Sequence, residues 1–207
     1  MRLRRCGSDA VLIEVGSLDE VDAVRAALAG AARDGRLPDL VELVPAARTV
    51  LAAVRPASNG LAALREVLAG VDLAATVGRE PREVVLPVRY DGPDLALVAE
   101  TAGIAVTEVP ALHSGVEYAV AFSGFAPGFG YLVGLPDALV QPRLDQPRTK
   151  VPAGSVGIAG EFTGAYPRSS PGGWRLIGHT DAVLFDSHRD RPALLTPGDR
   201  VRFEVRG

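Results

Sequence analysis

A basic stretch in the second half of the chain, QPRLDQPRTKVPAG (141–154), has the residue types to hold an anion. Arg143 and Arg148 each follow a proline, which fixes the backbone and lowers the entropic cost of holding a guanidinium in place. Lys150 is the only lysine in the chain. Guanidinium groups suit carboxylate and phosphate oxygens, so the stretch indicates anion binding. On charge alone, a solvated loop is the simpler interpretation.

Aromatic residues accompany these cations. The segment GFAPGFGYLVGLP (124–136) alternates glycine and proline with Phe125, Phe129 and Tyr131. It fits either the wall of an apolar pocket or partner groove, or a packed barrel corner. In SSPGGWRLIGHT (169–180) the only tryptophan, Trp174, follows two glycines. If a strand begins there, alternation places Arg175 on the face opposite Trp174 and Leu176 on the same face.

The sequence offers few groups for proton transfer or metal binding. Its three histidines lie far apart, without the spacing of a metal site. His113 ends a predicted helix, where a cationic ring interacts favourably with the helix dipole or serves as an acid/base. Cys6 is the only cysteine, which excludes an intramolecular disulfide and fits a reducing compartment.

Two modules must position these residues, because all eleven aromatic residues fall between Tyr90 and Phe203. The first half predicts strands at 10–15, 40–44, 49–54 and 83–88 and helices at 18–33 and 59–70. This β-α-β-β-α-β order is typical of a ferredoxin-like domain, although strand 83–88 fits either module. A linker is expected at 78–82.

The second half predicts helices at 94–103 and 107–115, a strand at 116–122, and then a small β-barrel. The barrel is indicated by close-set aromatic residues within a stretch, 124–178, of which about a third is glycine or proline. The fold class is therefore an α+β domain at residues 1–80, followed by a mainly-β barrel at residues 81–207.

Composition narrows the function classes. The 207 residues are 47% hydrophobic, and the net charge of −3 lacks the basic excess of a nucleic-acid binder. No apolar run approaches the ~18 residues of a membrane span. We expect a soluble, cytoplasmic protein with no nucleic-acid or membrane partner and no metal site.

Several long segments, in order, resemble the B-subunit family of 5-oxoprolinase, also called allophanate hydrolase subunit 1, which includes a sporulation kinase inhibitor. They are GFAPGFGYLVGLP, PRTKVPAGSVGIAG, YPRSSPGGWRLIGHT and TPGDRVRF. The resemblance covers essentially the whole chain. It implies an N-terminal α/β domain and a cyclophilin-like β-barrel. One departure is His179, where the family commonly carries a long basic side chain.

The resemblance also implies a function: ATP-dependent hydrolysis of 5-oxo-L-proline to L-glutamate with subunits A and C, with this chain inactive or weak alone. The C subunit of that enzyme is also called allophanate hydrolase subunit 2. Which of the subunits binds ATP stays open. His113 and Arg148 are then the catalytic candidates. The expected substrate-binding residues are Phe129, Tyr131, Arg143, Lys150, Ser155, Tyr166, Gly172, Gly173, Trp174 and Thr180.

Two alternatives stay open. One is inhibition of a sensor histidine kinase through the 125–131 surface. The other is a role in processing allophanate or another urea-derived amide, because homologous modules form the carboxyltransferase part of urea carboxylase.

Overall fold

A computed structural model describes residues 1–75 and 81–207 of the chain. The chain divides into two compact units, Met1–Arg79 and Glu80–Gly207. The linker predicted at 78–82 lies mostly outside the described residues. Among those residues, no helix combines the length and apolarity needed to cross a membrane.

The first unit is a four-stranded antiparallel sheet with two helices. Its elements are β1 (Arg2–Cys6), β2 (Ala10–Glu14), α1 (Leu18–Arg33), β3 (Leu40–Pro45), β4 (Thr49–Val54) and α2 (Gly60–Ala69). The strand order is β1-β2-β4-β3. Alternate residues of β2 and β4, such as Ile13 and Val50, are fully buried and pack with Val24, Leu28 and Leu64 of the helices. The apolar residues that alternate along the strands and those that recur every three or four positions along the helices therefore pack in one core.

The first strand of this unit has no counterpart among the predicted elements. Every residue of Arg2–Cys6 is exposed, so β1 shows no alternation of apolar and polar residues. The strand at 83–88 belongs to the second unit, where it pairs with the last strand of the chain. The β-α-β-β-α-β order is thus wrong for the first unit in its last strand, and β1 occupies the sheet edge beside β2.

The second unit contains a seven-stranded sheet, two helices and a separate strand pair. Its helices are α3 (Leu95–Ala102) and α4 (Glu108–Ser114), as the sequence predicts, with a 3₁₀ turn at Asp137–Leu139. The strands are β5 (Glu83–Val88), β6 (Glu117–Ser123), β7 (Gly130–Val133), β8 (Arg148–Val151), β9 (Ser155–Ala159), β10 (Phe162–Ala165), β11 (Ser170–Gly172), β12 (Arg175–His179) and β13 (Arg200–Val205).

The large sheet curls until its two edges approach each other. Its order is β12-β9-β10-β7-β6-β13-β5, and β8 pairs with β11 outside it. The segment after β5 bonds to β12, because Arg89 and His179 exchange backbone hydrogen bonds and the Asp94 amide donates to the Leu176 carbonyl at 3.0 Å. Gly92 permits this approach, since a Cβ there would lie 2.4 Å from the Leu176 oxygen.

Two apolar clusters form around the sheet. The larger one contains Val120, Leu132, Ile158 and Ile177 from alternating strand positions and packs against α3 and α4. The second contains Phe129, Tyr166, Trp174 and Leu176, with Tyr131 packed against it. Four of the ten residues predicted to contact substrate belong to this second cluster or pack against it, namely Phe129, Tyr131, Tyr166 and Trp174.

Candidate functional site

Four aromatic side chains that the sequence singled out lie together. The rings of Phe129, Tyr131, Tyr166 and Trp174 meet edge to face, with Phe129 centred 5.3 Å from both Tyr166 and Trp174. Tyr131 lies 5.0 Å from Phe129. Edge-to-face contacts are favourable because the positive edge of one aromatic ring lies against the negative face of another. Three of the four side chains are almost fully buried, so their common role is to build a rigid layer.

Glycines in the strands beneath make room for this layer. A Cβ at Gly164 in β10 would lie 2.8 Å from the Gly130 carbonyl oxygen and 3.3 Å from both Phe129 and Trp174. A Cβ at Gly157 in β9 would lie 3.3 Å from Trp174. The sequence showed that glycines and aromatic residues are interleaved, but not that a glycine on one strand faces a ring from another.

Two arginines act electrostatically on the tyrosines of this layer, Arg143 on both of them and Arg148 on Tyr166. Burial raises the pKa of Tyr131, and the Arg143 charge opposes that rise. Burial also raises the pKa of Tyr166, against the lowering effects of the Trp174 backbone, Arg143 and Arg148. We call Tyr131, Tyr166, Arg143 and Arg148 the tyrosine–arginine cluster. Its members span 35 positions of the sequence, from Tyr131 to Tyr166.

The two arginines of the cluster differ in their surroundings. The Nη2 atom of Arg148 lies 2.6 Å from Oδ1 of Asp94, and its Nη1 donates to the Trp174 carbonyl at 3.4 Å. Asp94 is buried, and its Oδ2 accepts the Leu176 amide at 2.6 Å. Arg148 therefore joins β8 to β12. Arg143 is exposed, with no acidic group within 4 Å among the described residues.

Asp94 is a functional neighbour that sequence reasoning missed. It stands at the N-cap of α3, where aspartate ordinarily accepts a backbone amide of its own helix. Its side chain makes no capping bond and reaches the amide of β12 instead. Sequence spacing carries no signal for a partner 82 residues away.

The first of the two glycines before Trp174 makes room for the Tyr166 ring. A Cβ at Gly172 would lie 2.5 Å from the Tyr166 hydroxyl, so only glycine fits. At Gly173 the nearest neighbour is Pro147 at an ordinary 3.6 Å, and the Gly173 carbonyl accepts the Leu144 amide at 2.8 Å. These contacts hold the chain around the tyrosine–arginine cluster.

Side chains on either side of Trp174 follow strand alternation. Leu176 packs with Trp174 in the aromatic cluster. Arg175 points to the other face, where it donates to the Thr101 hydroxyl at 2.7 Å and to Gln141. The prediction for this strand is confirmed.

Three remaining candidates lie in different environments. Lys150 is exposed on β8. Ser155 and Thr180 are buried. The Ser155 carbonyl accepts the Tyr166 amide at 2.9 Å, and the Thr180 amide donates to the Gly154 carbonyl at 2.9 Å. Ser155 and Thr180 therefore fix the backbone behind Tyr166, while Lys150 faces solvent.

His113 is separated from the cluster by its burial. The ring is fully buried and packs 4.3 Å from the Phe203 ring. Thr163 donates its hydroxyl to the Gly157 carbonyl, so it accepts from Nε2 of His113 at 2.8 Å. Nδ1 then accepts the Tyr90 hydroxyl at 2.7 Å. Burial lowers the pKa of His113 to about 3.

The acid/base function expected of His113 finds no support in this geometry. Such a group must reach the reacting atoms directly or through one water. A neutral ring with both nitrogens hydrogen-bonded inside the core instead stabilises the packing of α4 against the sheet. Sequence reasoning placed His113 correctly at the end of a helix but carried no information on which way the ring points.

The arrangement as a whole suits the binding of a small anion. The exposed guanidinium of Arg143 can hold a carboxylate or phosphate oxygen, and the aromatic layer beside it is rigid. Among the described residues, no group of three or more His, Cys, Asp or Glu side chains is placed to hold a metal ion.

The chain matches known proteins over most of its length. A family model described as carboxyltransferase domain, subdomain C and D, matches residues 1–195. The 5-oxoprolinase B subunit of Escherichia coli O157:H7 is 47% identical over 171 residues, which cover 81% of this chain and 78% of that protein. The 5-oxoprolinase B subunit of Haemophilus influenzae is 49% identical over 129 residues, 61% of each.

Solved structures show the same fold. The crystal structure of TTHA0988 aligns with a TM-score of 0.82 and 36% identity, covering 100% of this chain and 40% of that one. The Kluyveromyces lactis urea carboxylase aligns with a TM-score of 0.79 over 99% of this chain and 22% of its own, at 19% identity, and shows the fold alone.

The curled sheet, the aromatic layer and the matched family define a carboxyltransferase-type module of mixed α/β architecture. The sequence relatives narrow this class further. The chain belongs to the B-subunit family of 5-oxoprolinase, as its motifs predict.

Proposed function

We propose that this chain is a subunit of an ATP-dependent 5-oxoprolinase, which hydrolyses 5-oxo-L-proline to L-glutamate together with subunits A and C. Family membership supports the reaction class. The single observation that carries the local assignment is that the exposed Arg143 acts electrostatically on both Tyr131 and Tyr166 of the rigid aromatic layer. 5-Oxoproline carries a carboxylate, the group that this cluster suits.

The chemistry requires a second anion to be held. A lactam carbonyl is a poor electrophile, and phosphoryl transfer from ATP to its oxygen makes that oxygen a leaving group. Water then adds to the carbonyl carbon and the ring C–N bond breaks, which frees the amine and leaves a γ-glutamyl phosphate. A second water hydrolyses this acyl phosphate to glutamate and phosphate. Arg143 and Lys150 are both exposed and without an acidic partner among the described residues, so they suit the carboxylate or the transferred phosphoryl group.

The division of labour within the complex follows from what this site contains. Arg143 with the two hydroxyls binds and orients the anion, and Arg148 acts through the Asp94 pair to position β8 beside β12. We propose that the acid/base groups and the ATP site are completed by the other subunits, in the cytoplasm, and that this chain alone has little activity.

A second part of the proposal concerns the fold of the two units. We propose that residues 1–80 form a ferredoxin-like domain in which β1 occupies the place of the usual fourth strand, and that residues 81–207 form a cyclophilin-like barrel. The antiparallel order β1-β2-β4-β3 and the closure of the large sheet by the 89–94 segment support this description.

A second candidate reaction has one observation in its favour. Urea amidolyase of Lachancea kluyveri is 43% identical over 61 residues, 27% of this chain. Its name points to a urea-derived amide as the substrate. We rank allophanate or a related linear amide second, because the more extensive relatives carry the 5-oxoprolinase name.

Reconstitution tests both reactions. Purified chain is mixed with subunits A and C from the same source, ATP and either 5-oxoproline or allophanate, and glutamate or ammonia is measured. The proposal predicts glutamate formation that needs all three proteins and ATP. Ammonia release from allophanate with no glutamate from 5-oxoproline would establish the second reaction instead.

A further inference from the structure

An exposed phenylalanine is held in a strained backbone conformation beside the aromatic layer. Phe125 has φ of +64°, a region that β-carbon sterics disfavour. The Ala126 amide donates to the Gly124 carbonyl at 2.6 Å, closing a three-residue γ-turn around Phe125. Its side chain is 55% exposed. Strain of this kind persists where function requires it, because a glycine would adopt the turn without cost.

Neighbouring loops build a groove next to this side chain. Pro127, Pro167, Arg168 and Phe185 line a cavity of about 340 Å³. Gly128, at φ of +84°, allows the 184–185 segment to approach, since a Cβ there would lie 2.6 Å from Cβ of Phe185. Phe125 connects this groove to the cluster, because its ring meets those of Phe129 and Tyr166. We call Phe125, Pro127, Pro167, Arg168 and Phe185 the Phe125 surface.

The composition of the Phe125 surface matches the centre of a protein interface. Exposed aromatic and arginine side chains are enriched among the residues that dominate binding energy. Phe125 and Phe185 are 55% and 39% exposed, and all five residues lie in the second unit. A rigid ring presented on a fixed turn loses little conformational entropy when a partner covers it.

Charge indicates which kind of partner fits. Arg168 is exposed and has no acidic group within 4 Å among the described residues, and the same holds for Arg143 and Lys150 in the same unit. A second copy of this chain meeting the surface symmetrically would bring these cations together. A partner with an apolar side chain flanked by carboxylates would cover the ring and neutralise the rim.

We propose that the Phe125 surface is the docking site for the C subunit of the 5-oxoprolinase complex, which inserts an apolar anchor flanked by Asp or Glu. The identity of the partner rests on the proposed function, whereas the surface itself rests on the geometry above. Docking there places the partner beside Tyr166, so that groups from a second chain reach the tyrosine–arginine cluster.

The test measures the affinity of the full-length chain for the purified C subunit by isothermal titration calorimetry. Phe125→Gly removes the ring and relieves the turn, and Arg168→Glu reverses the rim charge. The proposal predicts that each variant weakens binding by about 30-fold or more. The melting temperature of Phe125→Gly should stay within about 3 °C of wild type, because strain relief offsets the lost ring contacts.

Val140→Ala and Arg202→Glu are the matched controls, since both residues are exposed in the same unit but lie outside the surface. Both should bind like wild type. Wild-type affinity in Phe125→Gly and Arg168→Glu would overturn the docking site while leaving the proposed function intact. If wild type neither binds the C subunit nor supports glutamate formation, the proposed function fails and the docking proposal fails with it.

Discussion

Arg143 and Arg148 each follow a proline, yet the fold gives them different tasks. Arg148 is bonded to the buried Asp94 and to the Trp174 carbonyl, whereas Arg143 extends from the surface beside two tyrosine hydroxyls. The sequence predicts that both arginines bind an anion, because it shows only that each is an arginine preceded by a proline. The difference comes from Asp94, which approaches Arg148 only when α3 packs beside β12.

This contrast predicts that the two alanine substitutions differ strongly in their cost to stability. Arg148→Ala leaves the Asp94 carboxylate buried without its cation and should lower the free energy of unfolding by about 2–3 kcal/mol, since Arg148 is itself partly exposed. Arg143→Ala should change it by less than about 0.5 kcal/mol. Urea denaturation measures both.

The matched control for the ion pair is the double variant Asp94→Asn with Arg148→Ala. Removing both charges should cost less than the sum of the single substitutions, because no uncompensated charge remains. Strict additivity would show that the 2.6 Å contact contributes nothing to stability.

His113 predicts a specific dependence of stability on pH. Its pKa is about 3 in the folded state and about 6.5 when unfolded, so the unfolded state binds one more proton between these values. Its contribution is therefore complete above pH 6.5 and is lost as the pH falls. The expected slope is about 1.4 kcal/mol per pH unit below pH 6.

Denaturation of wild type and His113→Gln between pH 7.5 and 5 isolates this effect, because the carboxylates titrate alike in both proteins. The variant should be less stable at pH 7.5, from the loss of buried hydrogen bonds, but the gap should narrow toward pH 5. A constant difference across that range would mean that His113 becomes protonated without cost in the folded protein.

At the scale of elements, the short β11 strand shows why two adjacent glycines are not equivalent. Gly172→Ala places a Cβ 2.5 Å from the Tyr166 hydroxyl and must displace that ring. It should destabilise the protein by about 1–3 kcal/mol and shift the emission of Trp174, the only tryptophan. Gly173→Ala meets only Pro147 at 3.6 Å and should behave like wild type in both measurements. Equal effects would exclude Tyr166 as the reason for the first glycine.

Local pattern predicted most elements, but it could not assign strands to sheets. Helices α1, α3 and α4 follow their apolar periodicity, and at the start of α1 the Glu20 amide donates to the Ser17 hydroxyl. Strand β5 alternates clearly, yet its partner is β13, more than a hundred residues later. Strand β1 has no buried face and so gives no periodic signal. Pairing depends on tertiary contacts that one-dimensional spacing does not encode.

At the scale of the whole molecule, the two units divide the work unequally. The aromatic layer, the tyrosine–arginine cluster and the Phe125 surface all lie in Glu80–Gly207. The sequence indicated this concentration, because residues 1–89 contain no aromatic side chain. The chain spans 78% of its Escherichia coli relative and 40% of TTHA0988.

The central claim is that the tyrosine–arginine cluster binds the anionic substrate of that assembly. The direct measurement is the KM for 5-oxoproline in the reconstituted complex with Arg143→Gln in place of wild type, and Arg36→Gln, in the first unit, as the control. We predict that Arg143→Gln raises KM by about tenfold or more, with complex formation and melting temperature unchanged. An unchanged KM in an assembled, active complex would contradict the assignment and place the substrate elsewhere.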